Sequence, residues 1–295
     1  MDLAPYLLLA GLEGLVEASV LMLSALGLSL VFGVMRVVNV AHGEFYMLGA
    51  VGGWAIASLV PDHPALGFAL ALLIAPALVG ALAIAADRGI LRRIGYDPEA
   101  TIVATIGLSY IVQQVVLMTF GPDARAVEPP FYLNIRFPWF GYSGYKLFIV
   151  AVAAVLVGAL WVGLRRSRLG LMMRATQFDR ETAQNFGIPV GRVYSGVFAM
   201  GAMLAAVAGV LIVPANQAHY LMGHDPLLMS FVVVIVGGLG SIPGTIAAAV
   251  LIGLSDGLMS VFFSPTLAKI VSTLLVALVL VFRPQGLFGK AETRA

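Results

Sequence analysis

Long apolar runs, separated by short polar or glycine- and proline-containing turns, make up most of the chain. A helix needs about 20 mostly apolar residues to cross the hydrocarbon core of a membrane. The sequence predicts nine candidate segments, which are Gly11–Val34, Phe45–Val60, Ala65–Ala86, Thr101–Phe120, Tyr145–Leu164, Val193–Val213, Leu227–Leu239, Thr245–Phe263 and Leu267–Phe282. Phe45–Val60 and Leu227–Leu239 are too short for a simple crossing and are flanked by glycine. We therefore expect an all-α polytopic membrane protein with about eight to nine transmembrane or re-entrant helices, some interrupted by glycine, in one domain over residues 1–295.

The composition supports this expectation. The chain is 60% hydrophobic and 11% charged, whereas soluble domains are about 45–50% apolar and about 25% charged. It has no cysteine, which excludes disulfide and thiol chemistry. The first apolar run follows Asp2 rather than a basic region, so we expect a retained helix and not a cleaved signal.

Arginines predict the orientation in the membrane, because cytoplasmic loops carry an excess of Lys and Arg. Six of them lie in the connection between the fifth and sixth segments, against two acidic residues: Arg165, Arg166, Arg168, Arg174, Arg180 and Arg192. Residues 88–93 and 283–294 are also basic. The aromatic-rich loop Gly121–Gly144 is expected on the opposite side. The N-terminus then lies outside if both short segments cross, and inside if Phe45–Val60 is re-entrant.

Within the basic connection 165–192, the stretch RATQFDRETAQNFGI (Arg174–Ile188) is unusually polar. Its apolar residues recur at steps of three and four, which predicts one short amphipathic helix ended by Gly187 and Pro189. Such a helix can lie on the membrane or dock into the groove of a partner protein. The alternative is a basic loop that only fixes topology.

Known catalytic and nucleotide-binding patterns are missing from the sequence. None of the three lysines ends a glycine-rich phosphate-binding motif, so any ATP-driven step needs a separate subunit. His63, His219 and His224 are assigned to loops and show no metal-ligand spacing. We expect neither an enzyme nor a bound metal or cofactor.

Polar residues interrupt the apolar pattern at Asn39, His42 and Glu44. A charge at the centre of a membrane helix costs about 2.5–3.5 kcal/mol, so such groups face a cavity or each other. Gly43 allows the backbone to unwind, and a helix starting near Glu44 would direct its positive end at the break. The alternative is a cytoplasmic turn beside Arg36.

Two further patterns bear on a pathway through the membrane. VGGLGSIPG, which contains Gly238 and Ser241, is either irregular backbone beside water or a short cytoplasmic hairpin. Polar residues at steps of four share one face of a segment and either join helices or line a pathway: Thr101, Thr105, Ser109 and Gln113. Two small-residue stripes predict close helix packing: Gly201, Ala205 and Gly209, and Ala249, Gly253 and Gly257.

Three motifs together carry a family resemblance. The chain resembles the LivH-type permeases of ABC importers for branched-chain amino acids in the motifs NVAHGEFYMLGA, VGGLGSIPGT and FRPQGLFG (Phe282–Gly289). The resemblance extends from about Leu26 to Gly289. The resemblance implies a multi-pass subunit of the bacterial inner membrane that moves an amino-acid ligand. It also implies a second, LivM-like permease, two cytoplasmic ABC ATPases, a periplasmic substrate-binding protein and surrounding membrane lipid, with no nucleic acid partner.

The cytoplasmic coupling loop of that family corresponds to the stretch Arg174–Ile188, which departs from the family at Gln177–Arg180. The expected ATPase-coupling residues are Arg174, Phe178, Asp179, Arg180, Glu181, Phe186 and Gly187. The expected pathway residues are Asn39, His42, Glu44, Thr101, Thr105, Ser109, Gln113, Gly238 and Ser241. Urea, short amides or other amino acids are alternative cargoes, and a self-sufficient secondary transporter or channel is the alternative class.

Overall fold

The computed structural model describes residues 3–264, 266–267, 270–271, 274, 278 and 286–288. These residues form helices α1 (Ala4–Met35), α2 (His42–Ala57), α3 (Pro64–Ala86), a π-helical turn (Asp87–Leu91), α4 (Pro98–Phe120), α5 (Gly144–Arg166), α6 (Arg168–Phe178), α7 (Arg180–Asn185), α8 (Val190–Ile212), α9 (His224–Gly237) and α10 (Ile242–Phe262). Strands β1 (Asn134–Arg136) and β2 (Gly141–Ser143) pair as an antiparallel hairpin.

Six of the described helices are long and apolar enough to cross a membrane: α1, α3 with its π-helical turn, α4, α5, α8 and α10. The largely helical, polytopic membrane architecture is therefore confirmed, with the small hairpin as an addition to the all-α expectation. Helices α2 and α9 have 16 and 14 residues and are short, as predicted. Most of the predicted segment Leu267–Phe282 lies outside the described residues.

The two short helices contact α1 well inside its length. After α1, residues 36–41 run without helix before α2 starts at His42. His42 Nε2 lies 2.9 Å from the carbonyl oxygen of Ser24, which is about 16 Å from the end of α1 at 1.5 Å per residue. On α9, the Ser230 hydroxyl donates to the Ser24 hydroxyl at 2.8 Å. Both short helices therefore lie against the middle of α1.

Small residues bring the central helices close together. A Cβ on Gly14 of α1 would lie 2.8 Å from the carbonyl oxygen of Gly253 on α10. A Cβ on Gly201 of α8 would lie 2.7 Å from the carbonyl oxygen of Gly27 on α1. These contacts confirm that the predicted stripes are close-packing faces, since backbones approach this closely only where side chains are small.

The contacts between loops show which elements share an end of the bundle. Lys146 at the start of α5 forms a 2.7 Å salt bridge with Glu13 near the start of α1. Arg125 and Ala218 exchange backbone hydrogen bonds, so the loop 121–143 and residues 213–223 lie at this same end. At the other end, Gly240 lies against Gly33 and Gln177. Trp54 of α2 lies against Arg125, so residues 36–57 run from this end of the bundle to the first as a non-helical segment followed by α2.

Candidate functional site

A line of three polar side chains joins α2, α4 and α9 within the membrane span. The Gln113 amide nitrogen donates to Glu44 Oε1 at 2.6 Å and lies 2.8 Å from His224 Nε2. Glu44 is 3% exposed, whereas His224 is exposed at the first residue of α9. Gln113 lies about 10 Å inside the end of α4 at Phe120. We call these three residues the polar line.

The threonine stripe of α4 supports the backbone that precedes α2. The Val40 amide donates to Thr105 Oγ1 at 3.1 Å, and Thr105 Oγ1 donates to the Thr101 carbonyl at 2.8 Å. Ser109 donates its hydroxyl to the Ile106 carbonyl at 3.0 Å. Because irregular backbone in a membrane must find partners inside the protein, Thr105 accounts for one amide of the non-helical segment.

Several buried polar atoms around this segment have no hydrogen-bond partner among the described residues. They are Asn39 Nδ2, His42 Nδ1, Glu44 Oε2 and Thr101 Oγ1. Buried polar groups are nearly always paired in native proteins, so these unpaired atoms require an explanation. Of the predicted pathway residues, Glu44 and Gln113 are in direct contact, and Thr105 contacts the backbone at Val40. Ser109 bonds within α4, and His42 contacts α1 at Ser24.

Gly238 and Ser241 lie elsewhere in the fold. They belong to the short turn between α9 and α10, where Gly238 has a φ of 102° and the Ser241 hydroxyl accepts from the Gly244 amide at 3.2 Å. Gly240 in this turn contacts the end of α1 near Gly33. The structure therefore does not bring these two residues to the polar line.

A cavity of about 830 Å³ lies on another side of the start of α9. Its walls come from α1, α2, the end of α8, α9, α10 and the loops 121–143 and 213–223, and include Ser24, Tyr46, Asp225 and Met229. Small-molecule sites typically measure about 300–1,000 Å³, so the cavity has the volume of a ligand site. No group of three or more potential metal ligands occurs in the part of the chain that the structure describes.

The predicted single amphipathic helix is wrong, because the structure forms two helices that break at Asp179. The Asp179 carboxylate accepts from the Glu181 and Thr182 amides at 2.9 and 3.1 Å and from the Thr182 hydroxyl at 2.5 Å. This is an N-cap, which starts a new helix and requires a non-helical backbone at the capping residue. The regular spacing of apolar residues concealed the break.

The end of α7 forms as the sequence predicts. Gly187 adopts a φ of 79°, and the Ile188 and Gly187 amides donate to the carbonyls of Ala183 and Gln184 at 3.0 and 2.9 Å. These two bonds define a Schellman motif, for which glycine is favoured because it has no Cβ. We call α6 and α7 together the coupling segment.

Two aromatic side chains of the coupling segment point into solvent. Phe178 is 91% exposed and Phe186 is 83% exposed. Arg174 is held differently, because its guanidinium donates to the Leu164 carbonyl at the end of α5. Beside α7 lies a groove of about 490 Å³, lined by Arg92, Gln184 and residues 187–192.

Arg180 connects the coupling segment to the membrane helices. Its guanidinium carbon lies 5.5 Å from the ring centre of Tyr194 on α8 and 5.9 Å from that of Tyr96. The rings of Tyr96 and Tyr194 pack edge to face, with their centres 4.8 Å apart. Burial, followed by the charge of nearby Asp87, raises the pKa of Tyr96 to about 12, so this phenol stays neutral at physiological pH.

Sequence reasoning missed His224, Tyr96 and Tyr194. His224 was assigned to a loop, although it is the first residue of α9. The signal was Asp225-Pro226 before an apolar run, since acidic residues and proline mark a first helical turn. Tyr96 and Tyr194 are far apart in the chain, and no local pattern pairs them.

The helices that span the membrane, the polar line inside them and the exposed coupling segment at one end define the membrane component of a transport system. Residues 11–280 match the family model for the permease component of branched-chain amino acid transport systems, so the chain belongs to that family. It is a multi-pass inner-membrane protein and a transport subunit rather than an enzyme, as predicted.

Individual relatives agree with this family. The chain is 31% identical to the high-affinity branched-chain amino acid transport system permease protein LivH of Escherichia coli K12, with 97% of each chain covered. It is 27% identical to the corresponding protein BraD of Pseudomonas aeruginosa, with 95% of each covered. LivM of Escherichia coli K12 is 25% identical over 89% of this chain and 66% of its own length. No solved structure gives a significant match.

Proposed function

We propose that this chain is the LivH-like permease subunit of an ABC importer that carries branched-chain amino acids across the bacterial inner membrane. The proposal rests mainly on the coupling segment, because Phe178 at the end of α6 and Phe186 just after α7 are exposed, and Arg180 anchors α7 to α8. Exposed aromatic residues on a short helix suit docking into a groove of a partner. The names of the relatives supply the substrate class.

The proposed assembly contains a second, LivM-like permease, two cytoplasmic ABC ATPases and a periplasmic substrate-binding protein. The six arginines of residues 165–192 support a cytoplasmic position for the coupling segment. The loop 121–143 and the N-terminal end of α1 then face the periplasm, where the binding protein delivers its ligand. The proposed assembly would have nine membrane segments in this chain: the six long helices, the two short helices α2 and α9, and the predicted segment Leu267–Phe282.

In the proposed mechanism, ATP binding and hydrolysis move the coupling segment, and Arg180 transmits the movement to α8. Helix α8 packs on α1 and α2 through Gly201 and Gly209, so its movement reaches the start of α2. The proposed walls of the pathway are formed by seven polar residues: Asn39, His42, Glu44, Thr101, Thr105, Ser109 and Gln113. Gly238 and Ser241, beside the coupling segment, are proposed at its cytoplasmic end.

The alternatives differ in cargo or in class. Urea, short amides and other amino acids remain alternative cargoes for the same assembly, because the binding protein selects the ligand. A self-sufficient secondary transporter or channel would need no partner to move its substrate.

Reconstitution into liposomes separates these functions. We expect ATP-dependent uptake of radiolabelled leucine only when the chain is combined with its second permease, ATPases and binding protein. Uptake of urea but not leucine by the full assembly would change the cargo. Uptake by this chain alone under an ion gradient would overturn the proposed function.

A further inference from the structure

His224 is exposed beside α4, one of the helices that are long and apolar enough to cross a membrane. It begins α9 and lies within hydrogen-bond distance of Gln113, about 10 Å inside the end of α4. Ionisable side chains in a membrane almost always face the interior of a bundle or a water-filled space. The exposed side of His224 therefore faces the translocation route or the second permease, and not acyl chains.

The hydrogen bonds of the polar line fix the orientation of its groups. The NH₂ group of Gln113 donates to Glu44 Oε1 at 2.6 Å, which leaves the amide oxygen, Gln113 Oε1, on the other side of the side chain. The same nitrogen lies 2.8 Å from His224 Nε2, and the histidine tautomer that accepts in this contact carries its proton on Nδ1. Gln113 Oε1 has no donor among the described residues. The exposed edge thus offers one acceptor, Gln113 Oε1, beside one donor, His224 Nδ1–H.

The surroundings of this edge favour a polar ligand. The first turns of α2 and α9 meet here, since a Cβ on Gly43 would lie 2.8 Å from the Cβ of Leu227. The amino ends of helices carry partial positive charge. Glu44, which is 3% exposed, keeps its second carboxylate oxygen without a partner among the described residues. The first turns of two helices and a buried carboxylate oxygen without a partner among the described residues therefore lie next to Gln113, on the side away from the exposed edge.

We propose that His224 and Gln113 form a contact site within the membrane for the ammonium and carboxylate groups of a zwitterionic amino acid, with Glu44 as the positioning residue behind them. The inference rests on the proposed function and names the point of the route at which the polar end of the cargo is held. The Gln113 oxygen accepts from the ammonium group and the His224 ring donates to the carboxylate. The apolar side chain of the cargo needs no polar partner there.

The test uses the complete importer in liposomes, loaded binding protein and radiolabelled leucine. His224→Ala and Gln113→Leu are each expected to lower the initial rate of uptake by about tenfold or more, because each removes a hydrogen bond to a charged group. ATP hydrolysis stimulated by the loaded binding protein should stay within about twofold of the unmodified importer, since the coupling segment is unchanged. His224→Gln retains a donor and should recover most of the uptake.

His63→Ala provides the matched control, because His63 is an exposed histidine in the turn between α2 and α3. It is expected to transport as the unmodified importer does. Uptake by His224→Ala at more than half the unmodified rate would overturn the contact site, as would a parallel loss of uptake and ATP hydrolysis. If the unmodified importer takes up no amino acid, the proposed function fails and the contact site fails with it.

Discussion

The guanidinium of Arg180 lies over the ring of Tyr194, 5.5 Å from its centre, and joins α7 to α8. A cation–π contact contributes about 0.5–2 kcal/mol, depending on its exposure. We expect Arg180→Gln to lower leucine uptake per ATP hydrolysed, because movement of the coupling segment then reaches α8 less effectively. Arg180→Lys keeps the charge and should retain part of the coupling.

Arg93→Gln is the control for this prediction, because Arg93 is an exposed arginine before α4 and lies outside the coupling segment. The measurement is the ratio of uptake to ATP hydrolysis in liposomes that contain the complete importer. An unchanged ratio in Arg180→Gln would show that the contact has no part in coupling.

Asp179 should determine where α7 starts. Hydrogen bonds from Thr182 hold the pKa of the Asp179 carboxyl below its ordinary value. The cap is therefore complete above the ordinary carboxyl pKa of about 4, and it weakens as pH falls through the lowered pKa. Asp179→Ala is expected to increase hydrogen exchange of the α7 amides at pH 7. Asp179→Asn should stay close to the unmodified chain because an amide oxygen also caps; equal exchange in all three proteins would contradict the cap.

The exposed phenylalanines provide a separate prediction. Phe178→Ser with Phe186→Ser should reduce co-purification of the ATPases and uncouple ATP hydrolysis from uptake, while insertion into the membrane is retained. Both side chains are almost fully exposed, so their loss removes little packing within this chain. Leu59→Ser is the control: it makes a comparable change just after the last residue of α2, at the end of the bundle away from the coupling segment, where Leu59 is 78% exposed. Normal ATPase recovery with the double variant would exclude docking through these rings.

Close packing between α1 and α10 predicts different effects for two glycine substitutions. Gly14→Ala places a Cβ 2.8 Å from a backbone oxygen, and such overpacking costs about 1–3 kcal/mol. Gly158→Ala meets nothing within 4 Å and should be neutral or stabilising by about 1 kcal/mol, since alanine favours a helix. Thermal unfolding in detergent should show a lower melting temperature for Gly14→Ala only. Equal melting temperatures would contradict the interface.

Much of the fold follows from the sequence because membrane helices are specified by long local patterns. The apolar runs located the starts of the long helices to within about three residues, except that α1 begins seven residues before the predicted Gly11. Their length already marked α2 and α9 as short. The position of the non-helical segment 36–41 could not be inferred, because it depends on contacts with Ser24 and Thr105.

The candidate site was predictable only in part. Glu44 and Gln113 were recognisable because polar residues in apolar runs are costly, but their partnership joins residues 69 positions apart in the chain. His224 could be identified only from the structure, since only its position beside Gln113 distinguishes it from a loop histidine. The break at Asp179 depends on a side-chain cap, which the apolar periodicity does not reveal.

Cross-linking from the coupling segment tests the central claim most directly. The chain has no cysteine, so Phe186→Cys introduces a single attachment point for a photoactivatable cross-linker in native membranes. The account predicts a covalent product with a cytoplasmic ABC ATPase from position 186 and none from Leu59→Cys at the opposite end. Labelling of Phe186→Cys by a membrane-impermeant maleimide added to the periplasmic side, with no ATPase product, would contradict it.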